Sequence, residues 1–347
     1  MTILVVKTSS LGDIIQALPI LPYLRNRFPD SAIDWAVEER LSSAVSAHPF
    51  VRKAIPVSRS NMIASMQALR KESYDLVFDL QGNCKSALWT FLSRGKTKVG
   101  LGLRSVREWP NILATHIRFD VPQDKNMRRQ YLCVLQQFFQ DREEPHDFPG
   151  LCFSIDAEQK KQVDELLRSA AGLKIMVCPG SAWPNKQLPV ATLRDFLRQI
   201  KERYSASFFL LWGSQEEREY CKNLQEGILV DKLPLPTWQY FMHQVDLVIA
   251  MDSSALHLCG TTSTPSFSVF GPTSAAIFQP IGPLHYAFSG TCPYGQTFVK
   301  SCPLLRTCPT GACMRDISPD ALFQAFASWW AKQKTKMRAS KPLFDIT

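Results

Sequence analysis

A length of 347 residues corresponds to about two domains at ~150 residues each. With 45% hydrophobic and 20% charged residues, the chain can form sizeable cores and is not typical of a disordered protein. No apolar run approaches the ~20 residues that span a bilayer, and Lys7 and Asp13 interrupt the segment where a signal peptide would be apolar. Ten scattered cysteines then favour a reducing cytoplasm over a secreted disulfide scaffold.

The net charge of +9 is unevenly distributed. Residues 1–150 carry 20 Lys/Arg and 15 Asp/Glu, residues 151–330 carry 15 of each, and residues 331–347 carry five and one. Residues 85–107 contain six basic residues and no acidic one. Such a basic face predicts an anionic partner, which could be a phosphate, a carboxylate, a nucleic acid or an acidic membrane. The alternative is a solvated face that aids solubility.

The first half alternates strand-like and helical segments. The apolar run 2–7 predicts a buried strand, a Thr/Ser/Gly loop follows it, and an apolar stripe from Ile14 to Leu24 predicts one helix. Further strands are predicted at 33–37, 75–80 and 97–101, and helices at 62–71 and 85–92. Strands that alternate with helices predict an α/β fold with a parallel sheet.

The second half repeats this opening after a polar stretch with two prolines, residues 141–150, which predicts a linker. A helix is expected at about 156–170, and strand 173–178 then leads into a Pro-Gly-Ser loop and a helix over 189–204. Further strands are predicted at 207–212, 246–251 and 266–270. Two similar α/β domains would face each other across a cleft, which is a favoured place for small-molecule sites.

The loop from Lys7 to Asp13 follows the first predicted strand, where open α/β sheets bind ligands. Gly12 would permit an unusual turn, and Asp13 could accept a proton. The alternative is that Ser10 or Asp13 only caps the following helix. The loop matches neither the Walker phosphate loop nor the Gly-x-Gly-x-x-Gly fingerprint, which argues against a nicotinamide dehydrogenase.

Two further loops end strands of the second predicted sheet. The first contains Ser181 and Lys186, whose ammonium is a point charge for phosphate, although a packed surface loop is an equal alternative. The second contains Asp252, followed by Ser253 or Ser254 as a helix cap, and then by His257. A single helical histidine is more often a satisfied core residue, but two such loops on one sheet favour an anion site.

Four cysteines follow in one stretch, at Cys292, Cys302, Cys308 and Cys313. Zinc thiolates usually come in pairs separated by two to four residues. Only Cys308 and Cys313 approach that spacing, so reduced thiols in an ordered loop are expected and a structural zinc site is the alternative.

Taken together, these stretches resemble the bacterial lipopolysaccharide heptosyltransferases, glycosyltransferase family 9. The resemblance rests on ordered motifs along nearly the whole chain: Lys7-Thr-Ser-Ser-Leu-Gly-Asp-Ile-Ile-Gln-Ala-Leu-Pro19, Trp35-Ala-Val-Glu-Glu39, Asp79-Leu-Gln-Gly-Asn-Cys-Lys-Ser86, the Pro179-Gly to Lys186 loop, Asp252-Ser-Ser-Ala-Leu-His257, Phe270-Gly-Pro-Thr273 and the cysteine stretch. The opening motif and Glu38–Glu39 look most like the type that adds the first heptose.

The resemblance implies a GT-B fold of two Rossmann-like domains. Residues 1–150 would bind the acceptor, residues 151–315 would bind the donor, and residues 316–347 would be a helix that returns to the N-terminal domain, with a basic tail. It also implies metal-independent, inverting transfer of heptose from ADP-L-glycero-D-manno-heptose to a Kdo sugar of the inner core, with no cofactor. Another nucleotide-sugar donor or a later core acceptor is the alternative, and a nucleic-acid binder is a remote one.

Residue roles follow from the same resemblance. Asp13 falls on the general base and Lys186 on the group that neutralises the departing diphosphate. The donor set would be Ser10, Ser181, Glu216, Asp252, Ser253, Ser254 and His257, and the acceptor set Lys7, Ser9, Gly12, Lys85, Arg104 and Arg107. Ser254 departs from the family pattern, because a glycine usually stands there.

The resemblance further implies a cytoplasmic enzyme, peripheral on the inner membrane, with a Kdo-lipid A acceptor and no nucleic-acid partner; we expect a monomer. The C-terminal helix carries Trp329 and Trp330 before several lysines. This pattern predicts either packing against the protein or contact with an anionic membrane surface.

Overall fold

The structure is a computed structural model that describes residues 1–141, 153–168 and 170–339, the last six of these by backbone alone. The chain divides into two compact units after Asp156, close to the predicted boundary at residue 150. Apart from Asp141, the predicted linker 141–150 lies outside the described residues.

The first unit contains a parallel sheet of six strands in the order β3-β2-β1-β4-β5-β6. The strands are β1 (Thr2–Val6), β2 (Ala32–Glu38), β3 (Lys53–Val57), β4 (Tyr74–Asp79), β5 (Gly95–Leu101) and β6 (Ile117–Phe119). The helices of this unit are α1 (Leu11–Ala17), α2 (Ile20–Arg27), α3 (Ser42–Ser46), α4 (Met62–Arg70), α5 (Cys84–Leu92) and α6 (Met127–Phe139). A 3-10 helix over Trp109–Ala114 packs against α5.

The central position of β1 explains its continuous apolar run. It pairs with β2 on one side and β4 on the other, and Ile3, Leu4 and Val6 are fully buried. The helix predicted from Ile14 to Leu24 is instead two helices, α1 and α2, which meet at Pro19. Proline has no N–H to bond to the carbonyl four residues earlier, so the single-helix prediction was wrong at this position.

The second unit repeats the architecture with the sheet order β12-β11-β10-β7-β8-β9, again parallel. Its strands are β7 (Lys174–Cys178), β8 (Ser207–Leu210), β9 (Ile228–Leu229), β10 (Leu247–Met251), β11 (Ser266–Phe270) and β12 (His285–Ser289). Its helices are α7 (Ala157–Arg168), α8 (Val190–Tyr204), α9 (Gln215–Leu224), α10 (Leu235–Gln244), α11 (Ser254–Cys259), α12 (Ala275–Phe278), α13 (Ala312–Arg315) and α14 (Pro319–Ala339).

The final helix, α14, packs against the core of the second unit. Phe326, Trp329 and Trp330 are buried there, with Phe326 in edge-to-face contact with Phe196 and Phe267. The tryptophan pair is therefore part of a protein core, which is the first of the two alternatives that the sequence offered for it. The return of this helix to the N-terminal domain stays a prediction. No helix within the described ranges is both long and apolar enough to cross a bilayer.

Candidate active site

Both sheets have the strand order of a Rossmann fold, and each has a point where the order reverses. In the first unit this point lies between β1 and β4, and in the second between β7 and β10. Ligands of open α/β sheets bind beyond the carboxyl ends of the strands at such points. The loops that the sequence singled out, after β1, β7 and β10, all begin there.

Asp13 is held in place by the start of helix α1. Ser10 is the N-cap residue, and its backbone N–H and hydroxyl donate to Asp13 Oδ2 at 3.2 and 3.1 Å. The capping alternative is thus correct for this loop, but the carboxylate has further partners. Gly12 lies inside the first turn of α1 with ordinary helical geometry, so the expectation of an unusual turn there was wrong.

Two cations compensate the Asp13 carboxylate. Lys7 Nζ lies 4.0 Å and Arg107 Nη2 3.9 Å from Oδ2. Burial acts to raise the pKa of Asp13, but Lys7, Arg107 and the Ser10 hydrogen bonds outweigh it and lower the pKa to about 2. Burial lowers the pKa of Lys7 to about 8, against the opposing effect of Asp13. The carboxylate is therefore ionised at neutral pH.

Tyr131 completes this cluster from helix α6. Its hydroxyl donates to Asp13 Oδ1 at 3.4 Å, and Lys7 Nζ lies 5.0 Å from its ring centroid. Burial, with the neighbouring Asp13 charge, raises the pKa of Tyr131 well above its usual value, so the phenol stays a donor. The sequence analysis missed Tyr131, because nothing in the local pattern of α6 distinguishes it from a core residue.

The loop after β4 holds Arg107 and the β1 loop together. Buried Asp79 accepts from the backbone N–H groups of Gln81 and Gly82 at 2.9 and 3.1 Å. Gly82, with φ +69°, accepts from the Arg107 N–H through its carbonyl. The side-chain oxygen of Gln81 in turn accepts from the backbone N–H of Ser9 at 3.3 Å. Ser9 and Arg107 are therefore fixed by the same loop.

The first unit also contains a pocket of about 490 Å³, and one of its lining residues, Thr8, follows Lys7 in the chain. The residues that line it are Thr8, Glu38, Glu39, Arg40, Val57, Ser58, Arg59, Ser60, Lys85 and Trp89. Thr8 is 1% exposed, and within the described ranges its hydroxyl has no hydrogen-bond partner. Of the predicted acceptor residues, Lys85 lines the pocket; the Arg104 side chain is exposed, and the Arg104 backbone N–H donates to Asp120.

In the second unit, Asp252 at the end of β10 accepts hydrogen bonds from three side chains of two other loops. Its Oδ2 accepts from Lys186 Nζ and from Thr273 Oγ1, each at 2.6 Å. Ser181 Oγ donates to the Asp252 carbonyl at 3.1 Å, which joins the loops after β7 and β10. Lys186 is paired within this unit rather than projecting as an isolated charge, and Thr273, which binds the same oxygen, was not among the predicted site residues.

Three further predicted donor residues, His257, Ser253 and Ser254, lie close to Asp252 in space or in the chain, whereas Ser10 lies in the first unit. Nε2 of buried His257 is 3.7 Å from Asp252 Oδ1. Ser253 is the N-cap residue of α11, and Ser254 begins that helix. The Ser253 hydroxyl oxygen is buried and has no hydrogen-bond partner among the described residues.

The predicted acid Glu216 is exposed on the first turn of α9. A hydrogen bond to Ser214 lowers its pKa. Its neighbour Glu217 instead accepts from Gly213 N–H at 2.6 Å and lies against Gly180, where a Cβ would come within 2.1 Å of the Glu217 carboxyl carbon. A side chain at position 180 would therefore displace the Glu217 carboxylate, which borders the loop after β7.

The four cysteines between residues 292 and 313 are free, as are the five others that the structure describes. No group of three or more His, Cys, Asp or Glu side chains in the described part of the chain is arranged to hold a metal ion. The zinc site that the sequence left open as an alternative at Cys292, Cys302, Cys308 and Cys313 stays a prediction.

Two Rossmann-type units, each with polar loops at its switch point, define the GT-B class of glycosyltransferases, as the motifs predicted. A sequence profile for glycosyltransferase family 9 (heptosyltransferase) matches residues 62–307. The chain belongs to this family and is a glycosyltransferase.

Individual relatives agree with this assignment. The chain is 30% identical to lipopolysaccharide heptosyltransferase 1 of Campylobacter coli over 79% of this chain and 84% of the relative. It is 29% identical to the protein of the same name from Pseudomonas aeruginosa, over 87% of each. The structure of E. coli heptosyltransferase WaaC with ADP-2-deoxy-2-fluoro heptose superposes with a TM-score of 0.74 at 22% identity, covering 94% of this chain and 99% of that one, which confirms the fold.

Proposed function

We propose that this enzyme transfers heptose from ADP-heptose to a Kdo sugar of the lipopolysaccharide inner core, with inversion at the anomeric carbon. The observation that carries the proposal is the Asp13 carboxylate, ionised and fixed at the switch point of the first sheet by Ser10, Lys7 and Arg107. Two relatives named lipopolysaccharide heptosyltransferase 1 support the acceptor type, and the WaaC structure with an ADP-heptose analogue supports the donor.

In this proposal Asp13 accepts the proton of the acceptor hydroxyl as that oxygen bonds to the anomeric carbon and the bond to the diphosphate breaks. A carboxylate with a pKa of about 2 is ionised at every physiological pH, so it is always ready to accept. It also holds the proton only briefly, because Lys7 and Arg107 favour the ionised form. Tyr131 orients the second carboxylate oxygen.

Lys186 neutralises the charge that develops on the departing diphosphate. Its pairing with Asp252 fixes the ammonium before the donor arrives, so little reorganisation is needed during the reaction. Ser181 donates to the Asp252 carbonyl, His257 lies 3.7 Å from its carboxylate, and Ser253 and Ser254 follow it at the start of α11. These four residues would contact the ADP-sugar, with Glu216 or its neighbour Glu217 on the ribose.

The pocket that Thr8 lines carries cations for an acidic sugar, and one of its two acids, Glu38, is already paired with Arg40. Arg59 and Lys85 on its wall supply cations for a carboxylate or phosphate, and the Thr8 hydroxyl is a buried donor that lacks a partner among the described residues. We therefore assign the Kdo acceptor to this pocket, with Arg104 and Arg107 at its approach.

The decisive experiment is release of ADP from ADP-heptose in the presence of a Kdo-bearing acceptor. We expect turnover with wild type and its loss in Asp13→Asn. Parallel reactions with ADP-glucose and UDP-glucose, and with an acceptor that already carries the first heptose, test the alternative donor and the later core acceptor. Preference for any of these over ADP-heptose and the Kdo acceptor would overturn the assignment of substrates but not the chemistry.

We also propose peripheral contact with the cytoplasmic face of the inner membrane through the first unit; the predicted basic tail beyond residue 339 lies outside the described residues. Leu103, Trp109 and Leu113 are each more than 60% exposed. They alternate with exposed Arg104 and Arg107, and this mixture of apolar and basic side chains suits an anionic lipid surface.

Co-sedimentation with vesicles tests this contact. Wild type should bind vesicles that contain anionic phospholipid and not purely zwitterionic ones, and the double variant Trp109→Ser/Leu113→Ser should lose most binding. Tyr294→Ser, which removes an exposed aromatic side chain from the second unit, is the control and should bind like wild type. Equal binding by all three proteins would refute this membrane-facing surface.

A further inference from the structure

The cysteine-bearing stretch 300–313, which we call the clamp segment, contacts both loops that hold Asp252. We propose that this segment sets the positions of Lys186 and Thr273 on the Asp252 carboxylate, and that Asn185 is the positioning residue that links it to Lys186. The proposal concerns the geometry of the second unit; it rests on the proposed donor role only for its predicted effect on ADP affinity.

Asn185 makes the first connection. Its amide Nδ2 donates to the carbonyls of Leu305 and Cys308, at 3.0 and 3.1 Å, across more than 100 residues of chain. Gly311, with φ +58°, lies directly against it, since a Cβ there would come within 2.7 Å of Asn185 Oδ1. The Asn185 side chain thus donates two hydrogen bonds to the clamp segment and packs against it.

Trp183 makes the second connection on the same loop. The Arg306 guanidinium lies 4.3 Å from the centroid of its ring, which is close enough for a cation–π contact. A 3-10 turn connects Trp183 to Lys186, and the Lys186 N–H closes it by donating to the Trp183 carbonyl at 2.9 Å. The contacts of Trp183 and Asn185 with the clamp segment therefore also fix the Lys186 backbone.

The other end of the clamp segment holds Thr273. Cys302 N–H donates to the Pro272 carbonyl at 2.8 Å, and Ser274 N–H donates to the Lys300 carbonyl at 2.9 Å. Thr273 itself forms an antiparallel bridge with Ser301. Backbone hydrogen bonds on both sides therefore fix the direction of its side chain.

These contacts converge on one atom. Lys186 Nζ and Thr273 Oγ1 both donate to Asp252 Oδ2 at 2.6 Å, although they come from loops 87 residues apart in the sequence. Such short bonds require both donors to be held in place, and a displacement of either loop would lengthen one of them. The segment that touches both loops, through Asn185 on one side and Thr273 on the other, is the clamp segment.

The test uses Asn185→Asp in the full chain. The new carboxylate keeps the shape of the amide but has no N–H to give to the two carbonyls, so the loop should loosen. The matched control is Asn223→Asp, the same chemical change at an exposed position on α9. The ligand-independent readout is the rate at which an amine-acylating reagent modifies Lys186, measured by peptide mass spectrometry with the exposed Lys222 as internal standard.

We expect Lys186 modification to rise at least threefold in Asn185→Asp and to stay unchanged in Asn223→Asp, with Lys222 alike in all proteins. The Kd for ADP should rise about tenfold, while KM for the acceptor stays constant. A purely structural role would instead lower the unfolding temperature and affect both substrates alike. Unchanged Lys186 modification would overturn the proposal.

The two measurements distinguish a wrong donor assignment from a wrong role of the clamp segment. If wild type does not bind ADP, the donor assignment is wrong, and the modification rate of Lys186 still decides whether the segment positions it. If Asn185→Asp does not fold, Arg306→Ala is the second variant. Arg306 is exposed, and its replacement removes the contact with Trp183, so Lys186 modification should also rise. An Arg306→Ala protein with wild-type modification would count against the clamp.

Discussion

The Lys7 ammonium lies 4.0 Å from the Asp13 carboxylate, and the lysine side chain is only 1% exposed. An ammonium removed from water is stable in its charged form only beside an opposite charge. Asp13 therefore has two roles in the first unit: it is the proposed base, and it is the counter-ion of a buried lysine. Substitutions at this position act on both, and the experiments below separate them.

Replacing Asp13 by asparagine should reduce heptose transfer by about 10² to 10⁴-fold, the usual contribution of a general base. The amide cannot accept the acceptor proton, although it occupies nearly the same volume. The change should also destabilise the fold, because Lys7 loses its counter-ion and must shed its proton or remain buried as an unpaired charge. ADP release gives the first effect, and urea unfolding gives the second.

Asp30→Asn is the matched control, since Asp30 is exposed at the end of the α2 loop. It should leave both turnover and stability unchanged. If Asp13→Asn kept more than a tenth of wild-type turnover while folded, another residue would have to act as the base.

The acid dependence of stability follows from the lowered pKa of Asp13. The folded pKa of about 2 lies below the usual 3.8, so between these values the unfolded chain binds more protons than the folded one. The stabilisation from this carboxylate is complete above about pH 4 and is lost as pH falls through 2. Its size is about 2 kcal/mol for a shift of nearly two pKa units.

The measurement compares wild type with Asp13→Asn by urea unfolding at several values between pH 5 and pH 2.5. The difference in unfolding free energy between the two proteins should shrink toward the acid end. A difference that stays constant over this range would mean that the folded Asp13 pKa is not depressed.

The eight inner strands could be predicted from the sequence, and the four that the prediction lacked, β3, β6, β9 and β12, are the edges of the two sheets. An inner strand is covered on both faces and needs a continuous apolar run, as in Ile3 to Val6. Edge strands are short or half-exposed: β9 has two residues, and β3 contains Pro56. Whether such a segment forms a strand depends on the strand beside it in the sheet, and its own composition does not show this.

The same limit applies to the site. Asp252 directly follows β10, and Asp13 and Lys186 lie within eight residues of the ends of β1 and β7, so strand prediction locates all three near the carboxyl edge. Tyr131 and Thr273 reach the same carboxylates from elements far away in the chain. The packing of α6 brings Tyr131 there, and the sequence carries no sign of it. Thr273 follows the predicted strand 266–270 and ends the Phe270-Gly-Pro-Thr273 motif, but its bond to Asp252 appears only in the fold.

Gly82→Ala should lower stability and disturb Arg107. At φ +69° an alanine is strained by about 1–2 kcal/mol, and its Cβ would lie 2.9 Å from Leu101 Cδ1. The Gly82 carbonyl binds the Arg107 and Glu108 N–H groups, so a shift there moves one of the two cations beside Asp13. We expect a loss of about 2–3 kcal/mol in urea unfolding and a several-fold fall in turnover.

Gly295→Ala controls for strain alone, because Gly295 has φ +67° with no atom within 4 Å of the position where a Cβ would lie. It should cost only the left-handed strain and leave turnover unchanged. Equal losses of stability and of turnover in both variants would show that crowding at Gly82 is not transmitted to Arg107.

Thr273→Val removes the hydroxyl that donates to Asp252 Oδ2 at 2.6 Å while it keeps the shape of the side chain. A hydrogen bond to a charged group contributes about 1.5–3 kcal/mol, so the variant should lose this much unfolding free energy. Because Lys186 then holds the carboxylate alone, affinity for ADP should also fall.

The control for Thr273→Val is Thr237→Val, which lies in the same unit. Thr237 is equally buried, but its hydroxyl has no hydrogen-bond partner in the part of the chain that the structure describes. Replacing an unsatisfied buried hydroxyl by a methyl group should be neutral or stabilising. Urea unfolding of the two variants therefore gives opposite results if the Thr273 bond is as strong as its length indicates. A Thr273→Val protein as stable as Thr237→Val would mean that Asp252 does not depend on this donor.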